Sequence, residues 1–472
     1  MNRTMCLVVL ALAIAVSNPV RAVPAATQPD AAFEQLSSLV TQKMAEYSVP
    51  GVAFGIVKNG KALTRGFGVT NIDDPQTITA DTIFPVASIS KTIAATAIMR
   101  LVEQGKLDLE APVQRYLPGF RVQDERVSRD VALWHLLTHT PGWEGQLSAP
   151  DKGADSLAAF VDSMKDLPQL AAPGEVWSYN NAGFSLAGRI IEQVTGQSIH
   201  DALRTLVFEP LGLTRTFTRL ENIVTYRFSV AHGGQTPSVT VARPMARTSG
   251  ITAGGVSMSL NDLLAYAKFH LGDGAGPDGK PVLTRASLEV MRTARVKKAA
   301  TDDEMGAGWH LRRVGGVMTA AHGGTLGHCL LVELVPARNL ALAILTNHSG
   351  GWRLVQDVER AALKVLEGLA LDPAQAIGHR GVNETMPDAP IMKTQPDPAP
   401  YVGTYRRPPV GSNTVRLQGT QLMVDNGTIA FYAPDRAVVT SGNSRGNPVE
   451  FIRRPDGTVG WIRVVGRIAK KD

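Results

Sequence analysis

Apolar positions along the chain change period several times, and each change predicts an element. Residues 33–47 carry apolar positions at helical spacing. Gly51-Val-Ala-Phe-Gly-Ile-Val and the run from Ala62 to Gly68 then read as two strands, joined by a hairpin turn at Asn59-Gly60. After Phe84-Pro85-Val86-Ala87, the stretch Thr92-Ile-Ala-Ala-Thr-Ala-Ile-Met-Arg-Leu-Val-Glu-Gln predicts a helix that stops at Gly105. Helical and loop-rich sequence fills the region to about residue 270. Strands are expected again at 317–321, 329–334 and 340–345, followed by a helix over 352–369. The first and last segments would thus close one sheet, with an all-helical insertion between them.

From Asp372 to Pro400 periodicity disappears and Pro, Asp and Gln dominate, which reads as a linker (371–400). Beyond it, 401–405, 414–417, 421–424, 429–432, 437–440, 449–452 and 459–464 alternate between Gly, Asn and Asp turns. They predict a small antiparallel meander or barrel over 401–472, a docking or lid element. At the other end, Arg3, an apolar stretch from Cys6 to Val16 and Val20-Arg-Ala22 have the form of a secretory signal over 1–22. We expect an exported protein, periplasmic or secreted, with no membrane-spanning segment after cleavage.

The chain has 472 residues, 44% hydrophobic and 19% charged, as ordinary globular proteins have. Its formal charge of +6 falls to +4 without Arg3 and Arg21, and no basic run is interleaved with aromatics. That argues against a nucleic-acid partner. Of the two cysteines only Cys329 lies outside the signal, so no internal disulfide is expected; its apolar setting suits a buried thiol.

One Ser-x-x-Lys occurs in the chain, Ser88-Ile-Ser-Lys91, at the start of the predicted helix. A serine there feels the positive end of the helix dipole, and a lysine one turn on lies on the same face. A serine hydroxyl needs such a base before it can attack a carbonyl. Two more signals follow: Tyr179-Asn180-Asn181 in a turn before a helix, and Ala321-His322-Gly323-Gly324-Thr325, a strand with glycines where a ligand could approach backbone. His135 and His139 stand four apart, but no third ligand accompanies them, so neither a metal nor any other cofactor is expected. Trp143 and Trp309 suit either pocket walls or core, and His328 has no assignable role.

In these motifs and their order, residues 33–370 resemble the serine β-lactamase and penicillin-binding hydrolase superfamily, in its class C branch, which also holds DD-peptidases, D-aminopeptidases and family VIII carboxylesterases. The resemblance implies an α/β fold: a β-lactamase/transpeptidase-like sheet flanked by helices, with an all-helical subdomain. It implies Ser88 as nucleophile and Lys91 with Tyr179 as a proton-sharing pair, Tyr179 being the expected proximal base. Asn181, His322, Gly323, Gly324 and Thr325 would bind a small-molecule or peptide substrate, and the backbone N–H groups of Ser88 and Thr325 would form the oxyanion hole. His322 and Gly323 stand where class C β-lactamases carry Lys and a hydroxyl residue. The carboxylate grip of that strand is therefore weakened, with Thr325 as a substitute donor. The expected activity is hydrolysis of an ester or amide through a Ser88 acyl-enzyme, carboxylesterase- or D-peptidase-like. The alternatives are a β-lactamase or DD-carboxypeptidase, a sensor that is acylated without turnover, and an acyltransferase.

Overall fold

The structure is a computed structural model. It describes residues 28–146, 153, 156–236, 238–242, 250–298, 303–371 and 389–472. The signal over 1–22, with Cys6, and most of the expected linker (372–388) lie outside the described residues.

Helix α1 (Gln28–Glu46) precedes strands β1 (Gly51–Lys58) and β2 (Lys61–Gly68). Asn59 and Gly60 between them have φ of 50° and 80°, the paired positive values of the tight hairpin their sequence predicts. Helix α2 (Ser90–Glu103) ends just before Gly105, whose φ is 70°. Helices α3 (Asn181–Thr195) and α4 (Leu260–Leu271) follow. Strands β3 (Val296–Lys297), β4 (Glu304–Met305), β5 (His310–Val314), β6 (Val317–Thr325), β7 (Cys329–Val335) and β8 (Leu340–Thr346) then lead to α5 (Trp352–Glu367).

The eight strands form one sheet in the order β2-β1-β8-β7-β6-β5-β4-β3, so the N-terminal hairpin pairs with the last strand as expected. Strands β1, β7 and β8 are apolar on both faces because both are covered. On one side lie α1 and α5, which bury Phe33, Leu36, Trp352, Val355 and Val358 against the sheet. On the other lie α2, α3 and α4 with the larger core. The insertion is not all-helical. It contains a three-stranded sheet (Ile83–Pro85, Ser257–Ser259 and Thr216–Phe217) and the hairpin Ala231–Gly233/Thr240–Ala242. Strands of two or three residues are too short to leave an alternation in the sequence.

The C-terminal unit is a closed barrel of eight antiparallel strands: β9 (Gly403–Arg407), β10 (Gly411–Gln418), β11 (Gln421–Val424), β12 (Gly427–Ala433), β13 (Arg436–Val439), β14 (Pro448–Arg453), β15 (Val459–Val464) and β16 (Arg467–Lys471). Pairing of Tyr405 with Lys471 and of Arg406 with Lys470 closes it. Tyr401, Tyr405, Phe431, Phe451 and Ile462 fill the interior with a packed core. Residues 389–400 do not form a free spacer: Ala389 packs on Tyr432 and Val438, and Met392 N–H donates to Phe431 O at 2.8 Å. Trp461, Ile452 and Ile468 join Leu170, Ala171 and Val176 of the first domain in a shared apolar cluster, and Trp461 Nε1 donates to Leu170 O at 2.9 Å. The barrel is thus docked on the domain that carries the sequence motifs.

Candidate active site

Ser88 lies not in α2 itself but in the 3-10 turn Ala87–Ile89 that leads into it. Ser90 fastens this turn, since its hydroxyl donates to Ala87 O at 2.6 Å and accepts from Val256 N–H at 3.0 Å. Ala87 has a φ of 47°, strained for a residue with a side chain and held by these bonds. Ser88 is left half-buried, its hydroxyl facing two groups. Lys91 Nζ donates to it at 3.2 Å, and the Tyr179 hydroxyl stands near enough for Ser88 to draw its proton affinity down. Lys91 is fully buried, also donates to Ala253 O, and lies 4.8 Å from the centre of the Tyr179 ring.

Burial dominates the proton balance. It pushes the Lys91 ammonium well below the ordinary lysine range, helped by the cation of Arg467. It also pushes the Tyr179 phenol up to about 12, against the opposing pull of Ser88 and Arg467. Burial thus disfavours both charged forms, the ammonium of Lys91 and the phenolate of Tyr179. Desolvation therefore opposes the phenolate that Tyr179 would need as the expected proximal base.

Three successive backbone N–H groups hold the Tyr179 segment. Ser178 N–H donates to His139 O (2.9 Å), Tyr179 N–H to Gly466 O of the barrel (2.8 Å), and Asn180 N–H to His139 Nδ1 (3.0 Å). His139 itself has a φ of 61° and packs its ring against Tyr179, tilted by 33° with ring centres 4.5 Å apart. His135 instead receives Ala132 N–H on Nδ1 and closes the short helix Leu133–Leu137. Each histidine thus has its own structural task. Asn180 caps α3, accepting from Gly183 N–H at 2.8 Å while its amide donates to Trp143 O. Asn181 is thereby released from capping, and its Oδ1 is buried with no hydrogen-bond partner among the described residues, as a group awaiting a substrate amide would be.

The end of β6 presses against the nucleophile turn. A Cβ on Gly324 would stand 2.4 Å from Val86 O and 3.2 Å from Ala87 Cβ, so only glycine permits the approach. That contact brings the backbone expected to supply the oxyanion hole, Ser88 and Thr325, to adjoining segments. His322 is buried and held neutral: burial, with Lys91 nearby, pushes it down to about 3, and Nδ1 faces Gly323 O at 2.7 Å. Thr325 does not point its hydroxyl to this side. One strand position beyond Gly324, it accepts Trp352 Nε1–H at 3.0 Å on the α5 face. The expected substitute donor is therefore turned away by the pleat. Trp143 and Trp309 are core, and His328 Nδ1 faces Leu326 O with Nε2 near Ser229. Cys329 is a buried thiol pushed up to about 12 by desolvation.

Further groups around Tyr179 carry no motif in the sequence. His310 stacks on it at 6.5 Å and meets His322 at 4.9 Å. Arg467 of β16 lies over its ring at 5.5 Å, and Arg467 and Arg407 both face buried Glu144. Only His139 had a visible signal, the His-x-x-x-His spacing.

Comparison with known proteins gives the family. The beta-lactamase family pattern matches residues 36–367. The chain belongs to the beta-lactamase family. Penicillin-binding protein 4 of Amycolatopsis lactamdurans is 34% identical over 374 residues, covering 77% of this chain and 94% of that protein. Esterase EstB of Burkholderia gladioli is 34% identical over 208 residues, 40% of this chain and 53% of its own. Among solved structures, SurE superimposes with a TM-score of 0.78 at 23% identity, covering 94% of this chain and 100% of that one. The octameric penicillin-binding protein homologue from Pyrococcus abyssi gives 0.64 at 23% identity, over 93% and 100%. Both likenesses span the barrel as well as the sheet domain. The β-lactamase-family protein described here is thus a serine hydrolase by membership. None of its described helices is long and apolar enough to cross a membrane.

Proposed function

We propose that the protein cleaves ester or amide bonds of small acyl or peptide substrates through a Ser88 acyl-enzyme, acting as a carboxylesterase or D-peptidase. The observation that carries this reading is the buried Lys91 Nζ within hydrogen-bond distance of the half-buried Ser88 hydroxyl, where burial disfavours its ammonium form. Ser88 Oγ attacks the carbonyl carbon as its proton passes to Lys91 Nζ. The oxyanion is met by the N–H groups of Ser88 and Thr325, preorganised donors of the kind that contribute most to acyl transfer. The proton then moves through the Tyr179 hydroxyl to the leaving oxygen or nitrogen, and the acyl group remains on Ser88. Water repeats the sequence in reverse and releases the acid.

The preference for substrates without a free carboxylate rests on the strand: His322 is an uncharged imidazole and Gly323 has no side chain. Export rests on residues 1–22 and would be tested by the N-terminal sequence of the mature protein. The hydrolase reading is tested with a panel of short p-nitrophenyl esters, D-amino-acid amides, D-Ala-D-Ala and nitrocefin. We expect turnover of an ester or amide that Ser88→Ala lowers by about a thousandfold or more while the fold survives. A folded Ser88→Ala variant with a tenth of the activity would sink the assignment. Acylation with no product release would favour the sensor.

A further inference from the structure

The barrel reaches the reacting groups through the β15–β16 turn. Gly466 O accepts Tyr179 N–H at 2.8 Å, Ile468 N–H donates to Ser178 Oγ at 3.2 Å, and Arg463 Nη1 donates to Trp177 O at 3.1 Å. Between these anchors Arg467 is buried against the Tyr179 ring, at 5.5 Å from its centre, on a tyrosine whose other neighbour is Lys91 at 4.8 Å. Glu144 holds it from the first domain: its Oε1 is 3.9 Å from Arg467 Nε and its Oε2 3.2 Å from Arg407 Nε. Glu144 Oε1 also accepts Gln146 N–H at 2.6 Å. One carboxylate therefore serves two barrel arginines, and the pair leaves net positive charge beside the phenol.

We propose that Arg467 is a positioning residue for the proton relay: the barrel sets a fixed cation against the Tyr179 ring, beside Lys91, and so shapes the passage of a proton from Ser88 through this pair. This rests on the hydrolase reading above. The other titratable groups around Tyr179 are Lys91 from α2, His139 after the helix Leu133–Leu137, His310 from β5 and His322 from β6. Lys298 and Arg463 lie further out, at 4.9 and 5.1 Å on the Trp177 ring. Burial holds His139 and His322 neutral at working pH, so neither supplies the charge. A cation near an amine disfavours its ammonium form. Its removal raises the proton affinity of Lys91, and the pH above which the base is free moves up. Both domains then contribute to one catalytic centre.

The test is the rate at which a neutral fluorophosphonate modifies Ser88 in the full chain between pH 5 and 10, for wild type, Arg467→Met and Arg467→Lys. This probe lacks a carboxylate, so it reports the base and not substrate recognition. We expect the acid limb of Arg467→Met to move up by about one pH unit, a tenfold change in proton affinity, and Arg467→Lys to restore it. Glu144 retains Arg407 in both variants, and thermal unfolding checks that the barrel stays docked. An unmoved limb in a folded Arg467→Met variant overturns the proposal. So does a loss confined to substrates with a free carboxylate, which assigns Arg467 to binding. Failure of the wild type to be modified at Ser88 overturns the hydrolase reading and this one together.

Discussion

Lys91→Met separates what Lys91 does for catalysis from what it does to stability. The lysine is buried among the Tyr179 and Phe184 rings, and no carboxylate pairs with it among its described partners. Its folded-state proton affinity lies well below the ordinary 10.5. Below 10.5 the unfolded chain binds a proton on this side chain that the folded chain releases, so folding grows more favourable as pH rises toward 10.5. Linkage sets the slope at about 1.4 kcal/mol per pH unit, over the whole interval between the two affinities. Stability lost on acidification stops falling once pH passes below the folded-state value. Methionine fills similar space without a proton to lose, though it leaves Ala253 O without a donor, a cost of about 1–3 kcal/mol. The assay is urea unfolding of wild type and Lys91→Met at pH 7.5, 8.5 and 9.5. We expect the wild type to gain about 1.4 kcal/mol on the variant per unit, while the variant's hydrolysis falls by orders of magnitude. A difference in stability that stays flat across this range would mean that Lys91 remains protonated, and the neutral-amine base would be refuted.

Gly324→Ala should force β6 away from the nucleophile turn, because the clash at 2.4 Å is with backbone; we expect about a hundredfold loss in kcat/KM, as misplacement near 1 Å costs, with a stability loss of about 1–3 kcal/mol in thermal unfolding. Restoring the clamp with His322→Lys and Gly323→Thr should raise nitrocefin hydrolysis relative to a neutral ester by about ten- to a hundredfold; a wild type that already prefers nitrocefin would contradict it. Truncation after Leu371 should leave a folded domain, because neither large core includes a residue beyond it. It uncovers Leu170 and Val176, worth about 1.5–3 kcal/mol each, and frees Tyr179 N–H from Gly466 O. Circular dichroism should show native structure and the ester assay little activity; a fully active fragment would show that the barrel is dispensable.

The parts legible in the sequence are those in which local pattern and chemistry coincide. Asn59-Gly60 can make only a tight turn, and Ser88 with Lys91 spans one helical turn. The covered strands β7 and β8 read as apolar runs because both faces are buried. Short strands were not legible. Two-residue β3 and β4 have no period, and β5 reads His-Leu-Arg-Arg-Val because Arg312 is buried between Glu333 and Glu359. The last barrel strand was missed for the same reason: Arg-Ile-Ala-Lys-Lys resembles a polar tail, though Ile468 and Ala469 are buried. The helix cap is Asn180 and not Asn181, because both asparagines suit it and only the fold chooses between them.

The same limit explains why the site was half visible. Ser88 and Lys91 are close in sequence, so their relation could be read from spacing. The proton affinity of Lys91 could not, because burial and Arg467, 376 positions away along the chain, both push against its ammonium form. A lysine's position says that it can reach a serine; only its surroundings say which protonation state is favoured there. Where Lys91 ends up neutral, Tyr179 need not be ionised, and its place in the relay shifts from taking the first proton to passing one on. The strained backbone at Ala87 and His139 points the same way. Neither residue type favours positive φ, yet each sits beside a reacting side chain and is held by bonds from other segments. Catalytic geometry here is thus imposed across elements, and across two domains, on residues whose identities alone were readable.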